Sequence, residues 1–323
     1  MISSVQTEAD IIVVDAGGTK TRLGALRAGV PLAAFRTLDS REFDRAGTAA
    51  HAVLASEIRD FAQHQDLHLG ELVVGIPGML DERREHVSHC NNIRAFEGSS
   101  LIQGLRAELE VPVLFEQDIM LQLLGEWRAG VARGCESAFG LYFGTGIGSA
   151  WLQRGDPFVP RSTCQQAGHI PVAAEGLKCK CGKLDCVEAH ASGHTLHALS
   201  RRHGVPIETL FEHRGDAELD RSLERFVTWQ GFLITTIGML LEPDMIVVGG
   251  GIPRMPGYPR HRLNRIVEQQ TQPSSAFHAG RVDFAELDDR GPLLGASVLV
   301  ELSRSSASPF GAAGSPSRAV PSR

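Results

Sequence analysis

The stretch Gln165 to Gly193, QQAGHIPVAAEGLKCKCGKLDCVEAHASG, constrains this chain more than any other. It holds His169, Cys179, Cys181 and Cys186, with Glu188 two residues past the last cysteine. Three thiols and one imidazole fit a closed tetrahedral Cys₃His site, and such a site is structural because protein atoms fill all four positions. Zinc is the metal that this ligand set implies. The spacing is C-x-C-x4-C with the histidine ten residues upstream. That is not a common zinc-finger spacing, so it points to a loop inside a larger domain. The competing reading is a set of unrelated thiols in a reduced protein. Half of the six cysteines fall within eight positions, which favours the metal loop.

A chain of 323 residues is long for a single core, and two lobes are expected. Hydrophobic content of 42% and charged content of 22% are ordinary for a soluble globular protein. A formal charge of −6 and the lack of a basic stripe argue against a nucleic-acid surface. No apolar run is long enough to span a bilayer, so no membrane partner is expected. The N-terminus, MISSVQTEAD, has acids where a signal peptide needs cations and an apolar core, so the expected location is cytoplasmic. Cys90, Cys135 and Cys164 are scattered and are expected to be free thiols.

The first apolar run, IIVVDAGGTKTRLGAL (11–26), reads as a β-hairpin with a glycine turn. Its glycines permit close approach of a ligand to the backbone. Thr19 and Lys20 add a hydroxyl and a cation, and Asp15 is placed to hold Mg²⁺ directly or through water. The plain alternative is a hairpin whose Asp and Thr only cap the turn. A helix is expected over 46–63, a buried strand over 72–76 ending in Pro77-Gly78, a loop with Asn91 and Asn92, and a short helix over 101–109. PVLFEQD (112–118) reads as a strand ending on Asp118, and IMLQLLGEWRAG after it as a helix. Asp118 therefore stands at a strand-to-helix junction, where an N-cap role competes with a functional one.

SAFGLYFGTGIGSAWL (137–152) reads as a second hairpin, with residues 144–148 at its turn. It is neither a Walker A loop nor a G-x-G-x-x-G helix opening. Its exposed backbone N–H groups still suit an anion. Helices are expected over 192–202 and 219–241, and a strand over 241–252 that runs into Gly249, Gly250 and Gly251. PRMPGYPRHRL reads as a proline-punctuated loop, 281–287 as a last strand and 291–303 as a last helix. The Ser-, Pro-, Gly- and Ala-rich tail, 304–323, reads as disordered. The repeated glycine hairpins imply two similar α/β lobes, 1–118 (with the helix 291–303 packing back on it) and 119–290, with a ligand between them.

Together VVDAGGTKT, VGIPG, EQD, FGTGIGS, the His–Cys segment and DMIVVGGGI resemble the ROK group (repressors, open reading frames, kinases) from residue 11 to about 303. The H-x9-C-x-C-G-x3-C-x-E portion carries most of that specificity. The resemblance implies a two-lobed actin-like or hexokinase-like ATPase (ribonuclease H-like) α/β fold, with the zinc loop in the larger lobe. It implies an ATP-dependent sugar kinase acting on a hexose primary hydroxyl, O6, with Mg²⁺, structural zinc and a homodimeric assembly. Asp15, Gly17, Gly18, Thr19 and Lys20 correspond to the first phosphate-binding turn, and Gly144, Thr145 and Gly146 to the second. Gly249, Gly250 and Gly251 correspond to the strand end beside the adenosine. Asp118 corresponds to the catalytic base. Gly78, Asn92, Gln117, Gln166, His169 and Glu188 correspond to sugar-binding positions, His169 also to a zinc ligand beside Cys179, Cys181 and Cys186.

The chain departs from the family's pattern twice. Family sugar kinases usually carry Glu three residues before the zinc His and Asn before the catalytic Asp; here these are Gln166 and Gln117. Glu to Gln exchanges an acceptor-only anion for a donor plus acceptor, which alters how sugar hydroxyls are matched. DIMLQLLGEW and GGGIPRMPGYPRHRL look most like allose kinases. Glucose, fructose, mannose and N-acetylmannosamine are the competing substrates, and a catalytically weakened sugar-binding protein is the competing function. A sugar-sensing repressor would carry a DNA-binding segment before the core, whereas about ten residues precede the first strand here.

Overall fold

The structure is a computed structural model that describes residues 9–90, 92–153, 156–157 and 166–304. The chain divides into two compact units: Met1–Glu116 with Pro292–Arg323, and Gln117–Gly291. Asn91, Cys164 and the tail beyond 304 lie outside the described residues.

The first unit begins with β1 (Asp10–Ala16), β2 (Lys20–Arg27), β3 (Val30–Pro31) and β4 (Arg36–Asp39). Next come α1 (Arg41–Ala46) and α2 (Ala50–His64). β5 (Leu69–Ile76), β6 (Met79–Leu80) and β7 (Val87–His89) lead to α3 (Ser100–Leu109) and β8 (Val113–Gln117). The main sheet runs β3-β2-β1-β5-β8, with β4 also pairing β2. β1 is antiparallel to β2 and parallel to β5. Ile12, Val14, Leu72, Val74 and Ile76 are fully buried, and Leu54, Ile58 and Phe61 of α2 pack into the same core. The i, i+4, i+7 spacing of those three residues is what makes α2 amphipathic.

The second unit opens with α4 (Asp118–Ala129), then β9 (Ser137–Phe143), β10 (Ile147–Gln153) and the two-residue β11 (Asp156–Pro157). α5 (Val187–Ala191), α6 (Gly193–His203) and α7 (Ala217–Leu241) follow. β12 (Met245–Gly249), α8 (Arg260–Gln270) and β13 (Val282–Phe284) complete it. α9 (Gly291–Arg304) returns to the first unit from Pro292 onward. The sheet runs β11-β10-β9-β12-β13. β9 is antiparallel to β10 and parallel to β12. Both sheets thus use one plan, a hairpin whose first strand pairs in parallel with a later strand. The core of this unit gathers Leu141 and Phe143 of β9 with Phe226, Leu233 and Ile234 of α7.

Three expectations need correction. The second glycine turn is shorter than 144–148: Ile147 pairs with Phe143, so Ile147 and Gly148 belong to β10. Asp118 is not an N-cap; Gln117 holds that place in extended backbone, and Asp118 is the first helical residue. The proline-rich loop ends at Pro259, because Arg260–Gln270 is helical. That helix buries only Leu263, Ile266 and Val267, and its polar remainder concealed a correct i, i+3, i+4 pattern. β4 and α1 were not anticipated.

Candidate functional site

In the first unit the glycine turn joins β1 to β2. The Gly17 N–H donates to the Lys20 carbonyl at 3.0 Å, which closes it. Ser40, 1% exposed, braces the turn from inside. Its hydroxyl donates to the Gly17 carbonyl at 2.7 Å, its N–H donates to the Thr19 carbonyl at 3.2 Å, and Thr21 Oγ1 lies 3.0 Å from its Oγ. Gly18, Thr19 and Lys20 remain exposed, and Asp15 is half-buried near the end of β1. A Cβ on Gly18 would come within 2.8 Å of the Asn92 side chain, so the fold brings Asn92 against this turn. A Cβ on Gly78 would come within 2.5 Å of the His89 carbonyl. Gly78 therefore lies against the segment that leads into Asn92. Ser40 carries no signal in the sequence, where it lies outside every predicted element.

In the second unit Asp118 begins α4, where the helix N-terminus favours a carboxylate. Its Oδ1 accepts from the Ile119 N–H at 2.8 Å. A Cβ on Gly148 would come within 2.9 Å of Ile119, so Asp118 stands beside the strand that leaves the second glycine turn. Gln117 is 3% exposed. On the same helix Glu126 is fully buried and accepts three backbone N–H bonds, from Val131, Glu286 and Leu287. Burial pushes its carboxyl up from its ordinary range. Tyr142 of β9 has a buried hydroxyl with no hydrogen-bond partner among the described residues. Burial, and then the nearby Glu126 and Asp118 charges, push its phenol up. Neither Glu126 nor Tyr142 stands out in the sequence, because each sits inside an apolar run.

The turn Gly144–Gly146 joins β9 to β10, with the Gly144 N–H donating to the Gly146 carbonyl at 2.9 Å. Gly193, the first residue of α6, donates its N–H to the Gly144 carbonyl at 2.7 Å. At the end of β12, Gly250 has φ +93°, and a Cβ there would come within 2.3 Å of the Phe143 carbonyl. Only glycine fits both requirements. The three glycines 249–251 thus lie beside the last residue before the second turn.

The loop from His169 to Glu188 is a small hairpin. The Cys179 N–H donates to the Lys183 carbonyl at 2.8 Å, and Lys178 bridges Leu184. Gly182, at φ +90°, permits the turn. Asp185, 4% exposed, accepts from the N–H groups of Gly176 and Leu177 and lies 3.2 Å from His190. One ligand atom from each of His169, Cys179, Cys181 and Cys186 lies within 4.8 Å of the others. Cys181 Sγ is 3.7 Å from Cys186 Sγ, and Cys179 Sγ is 3.6 Å from His169 Nδ1. Tetrahedral zinc, with bonds of about 2.3 Å to sulfur and about 2.0 Å to nitrogen, needs sulfur–sulfur and sulfur–nitrogen separations of about 3.8 and about 3.5 Å. The four residues therefore fit zinc, and Nδ1 is the His169 atom placed to serve as the ligand beside Cys179 Sγ.

Glu188 is half-buried beside this cluster. Its Oε2 accepts from the Ile147 N–H at 2.8 Å, and its Oε1 lies 3.9 Å from Cys179 Sγ. Gln166 is exposed, immediately before the short helical turn Ala167–His169, and its carbonyl accepts from the His169 N–H at 2.9 Å. The second unit thus brings together Asp118, the 144–146 turn, Glu188, the Cys₃His cluster and the 249–251 glycines. Gly168 and Gly193 also belong to this arrangement and went unremarked in the sequence.

The sequence profile of the ROK family matches residues 11–302. The chain belongs to the ROK family. An N-acetyl-D-glucosamine kinase of Escherichia coli O127:H6 is 24% identical to this ROK protein over 303 residues, covering 88% of this chain and 97% of that one. Among solved structures, a ROK hexokinase from Thermus thermophilus superposes with a TM-score of 0.75 at 24% identity, covering 91% of this chain and 99% of the other. A ROK glucokinase from Streptomyces griseus, in complex with glucose and AMPPNP, gives 0.72 at 23% identity, covering 90% and 99%. These relatives are sugar kinases matched along nearly their whole length, in agreement with the expected two-lobed kinase fold and phosphotransferase class. No helix among the described residues is long and apolar enough to cross a membrane.

Proposed function

We propose that this ROK protein is an ATP-dependent hexose kinase that phosphorylates a primary hydroxyl, O6, with Asp118 as general base. The observation that carries the reading is the packing of Ile119 on Gly148, which seats Asp118 beside the strand leaving the 144–146 turn. Phosphoryl transfer asks a protein for alignment and charge neutralisation rather than covalent chemistry. The turns 17–20 and 144–146 offer backbone N–H groups to the polyphosphate. Asp15 is the carboxylate suited to Mg²⁺, which neutralises phosphate charge when bound. Asp118 orients the sugar hydroxyl and accepts its proton late, as the bond to phosphorus forms and the hydroxyl becomes acidic. Gly78, Asn92, Gln117, Gln166, His169 and Glu188 are the proposed sugar contacts, and the 249–251 glycines the adenosine contact. Zinc serves to fix the loop that carries His169 and Glu188. The active species is a homodimer.

The sugar is an aldohexose. The segments after Asp118 and Gly249 favour D-allose, whereas the relatives named above act on N-acetylglucosamine and glucose. A panel of hexoses assayed with ATP and Mg²⁺ tests both levels. ADP release with at least one hexose supports the kinase, and the ranking of kcat/KM identifies the sugar. No ADP release with any hexose, while a sugar still raises the melting temperature, would leave a sugar-binding protein instead.

A further inference from the structure

The zinc loop and the second glycine turn form one mechanical unit, and four contacts join them. Glu188 Oε2 accepts from the Ile147 N–H at 2.8 Å. The Gly193 N–H donates to the Gly144 carbonyl at 2.7 Å. The Ala167 N–H donates to Ser149 Oγ at 3.3 Å. Gly168 packs so closely on β10 that a Cβ there would lie 2.6 Å from the Ile147 carbonyl. Both ends of the turn are thereby held from the segment that carries the metal ligands. Glu188 is the central member, two residues past Cys186 and 3.9 Å from Cys179 Sγ by its other oxygen.

We infer that Glu188 is a positioning residue for the nucleotide side of the site: it fixes the 144–146 turn in the shape that accepts phosphate, and the metal loop is its brace. This rests on the kinase reading above and adds a second role to a residue assigned there to the sugar. The physical reason is local. Ile147 is 8% exposed, so its N–H has little access to water. Without the Glu188 carboxylate that donor is buried and unpaired, which is costly, and the turn must shift to solvate it. Gly146 lies directly against this carboxylate, since a Cβ there would be 2.6 Å from Glu188 Oε2. The turn and the carboxylate are fitted to each other, and a shift in either moves the N–H groups that would face phosphate.

The test is binding of AMPPNP with Mg²⁺, in the absence of sugar, by wild type and by Glu188→Ala, Glu188→Met and Glu188→Gln. Glu188→Met keeps the chain length without the acceptor, and serves should Glu188→Ala not fold. Zinc content and melting temperature are measured alongside. Loss of the acceptor should weaken AMPPNP binding by about ten-fold or more. Glu188→Gln keeps an oxygen for the Ile147 N–H and should restore AMPPNP binding to within about two-fold of wild type, while its sugar KM stays raised. AMPPNP affinity unchanged in the acceptor-less variants would overturn the inference and leave Glu188 a sugar contact alone. Equal loss in Glu188→Gln and Glu188→Ala would also overturn it. Wild type that binds no AMPPNP would instead defeat the kinase reading, and this inference with it.

Discussion

The Sγ atoms of Cys181 and Cys186 lie 3.7 Å apart, the separation of two sulfurs on one tetrahedral zinc ion. A disulfide needs about 2.05 Å, so this is the geometry of shared coordination rather than of a cross-link. Cys181→Ser should therefore lose the metal. Wild type should carry one zinc per chain and the variant close to none. Losing the clip frees the 169–188 loop and should cost about 2 kcal/mol or more, a fall of roughly 4–8 °C in melting temperature. Stoichiometric zinc retained in the variant contradicts the assignment.

Asp118→Asn separates chemistry from binding. The substitution keeps the shape and one acceptor oxygen but removes the charge and the proton acceptor. We expect kcat to fall by about 10²–10⁴. Sugar affinity should stay within roughly three-fold of wild type, because a group needed only as the bond to phosphorus forms is read in kcat. Turnover near wild type in the variant would mean that Asp118 is not the base.

Asp118 also shows what the sequence made legible and what it did not. A strand ending in an acid and followed by a helical pattern located the junction within one residue. Hairpin turns with glycines, and thiols close together in sequence, were readable for the same reason: the signal is local. Ser40 lies 23 residues from Gly17, yet its hydroxyl holds the first turn. Glu126 lies 160 residues from Glu286, whose N–H it accepts. Such pairings exist only once the sheets are assembled, and no local period announces them. The helix Arg260–Gln270 was missed for a different reason. Its pattern was present, but the prolines before it and only three apolar residues within it read as a loop.

Gln166 is one of the two positions, with Gln117, where the family resemblance leads one to expect a different residue, and Gln166→Glu tests what the difference does. The residue is exposed and precedes His169 by three positions, in a turn that the metal ligand anchors. A carboxylate only accepts hydrogen bonds, and bonds to charged groups are worth about 1.5–3 kcal/mol against about 0.5–1.5 for neutral ones. A change of about 1.4 kcal/mol for one sugar relative to another is ten-fold in their kcat/KM ratio. We expect a shift of that size in the ranking across a hexose panel. An unchanged ranking would mean that the side chain does not face the sugar.

Asp10 supplies a pH-dependent contribution to stability. Its carboxylate is 2% exposed and takes a two-point bond from Arg27, at 2.8 and 3.0 Å, and the His68 N–H at 2.8 Å. The Arg27 guanidinium holds its carboxyl below the ordinary range, although burial works the other way. A carboxyl that is harder to protonate in the folded state stabilises the fold above its unfolded value of about 3.9, and that contribution is lost as pH falls through the folded value. Asp10→Asn resembles the protonated residue in shape and charge. At pH 7 it should cost about 1–3 kcal/mol, since donors that bonded a buried carboxylate lose part of their pairing. Arg27 is half exposed, so the hydrogen bonds rather than the charge attraction carry most of this. Urea unfolding of both proteins at pH 7 and at about pH 3.5 measures it. The gap should narrow at the lower pH, because wild type is then approaching the state that the variant imitates. A gap that stays constant, or widens, would place the contribution elsewhere than in the ionised carboxylate.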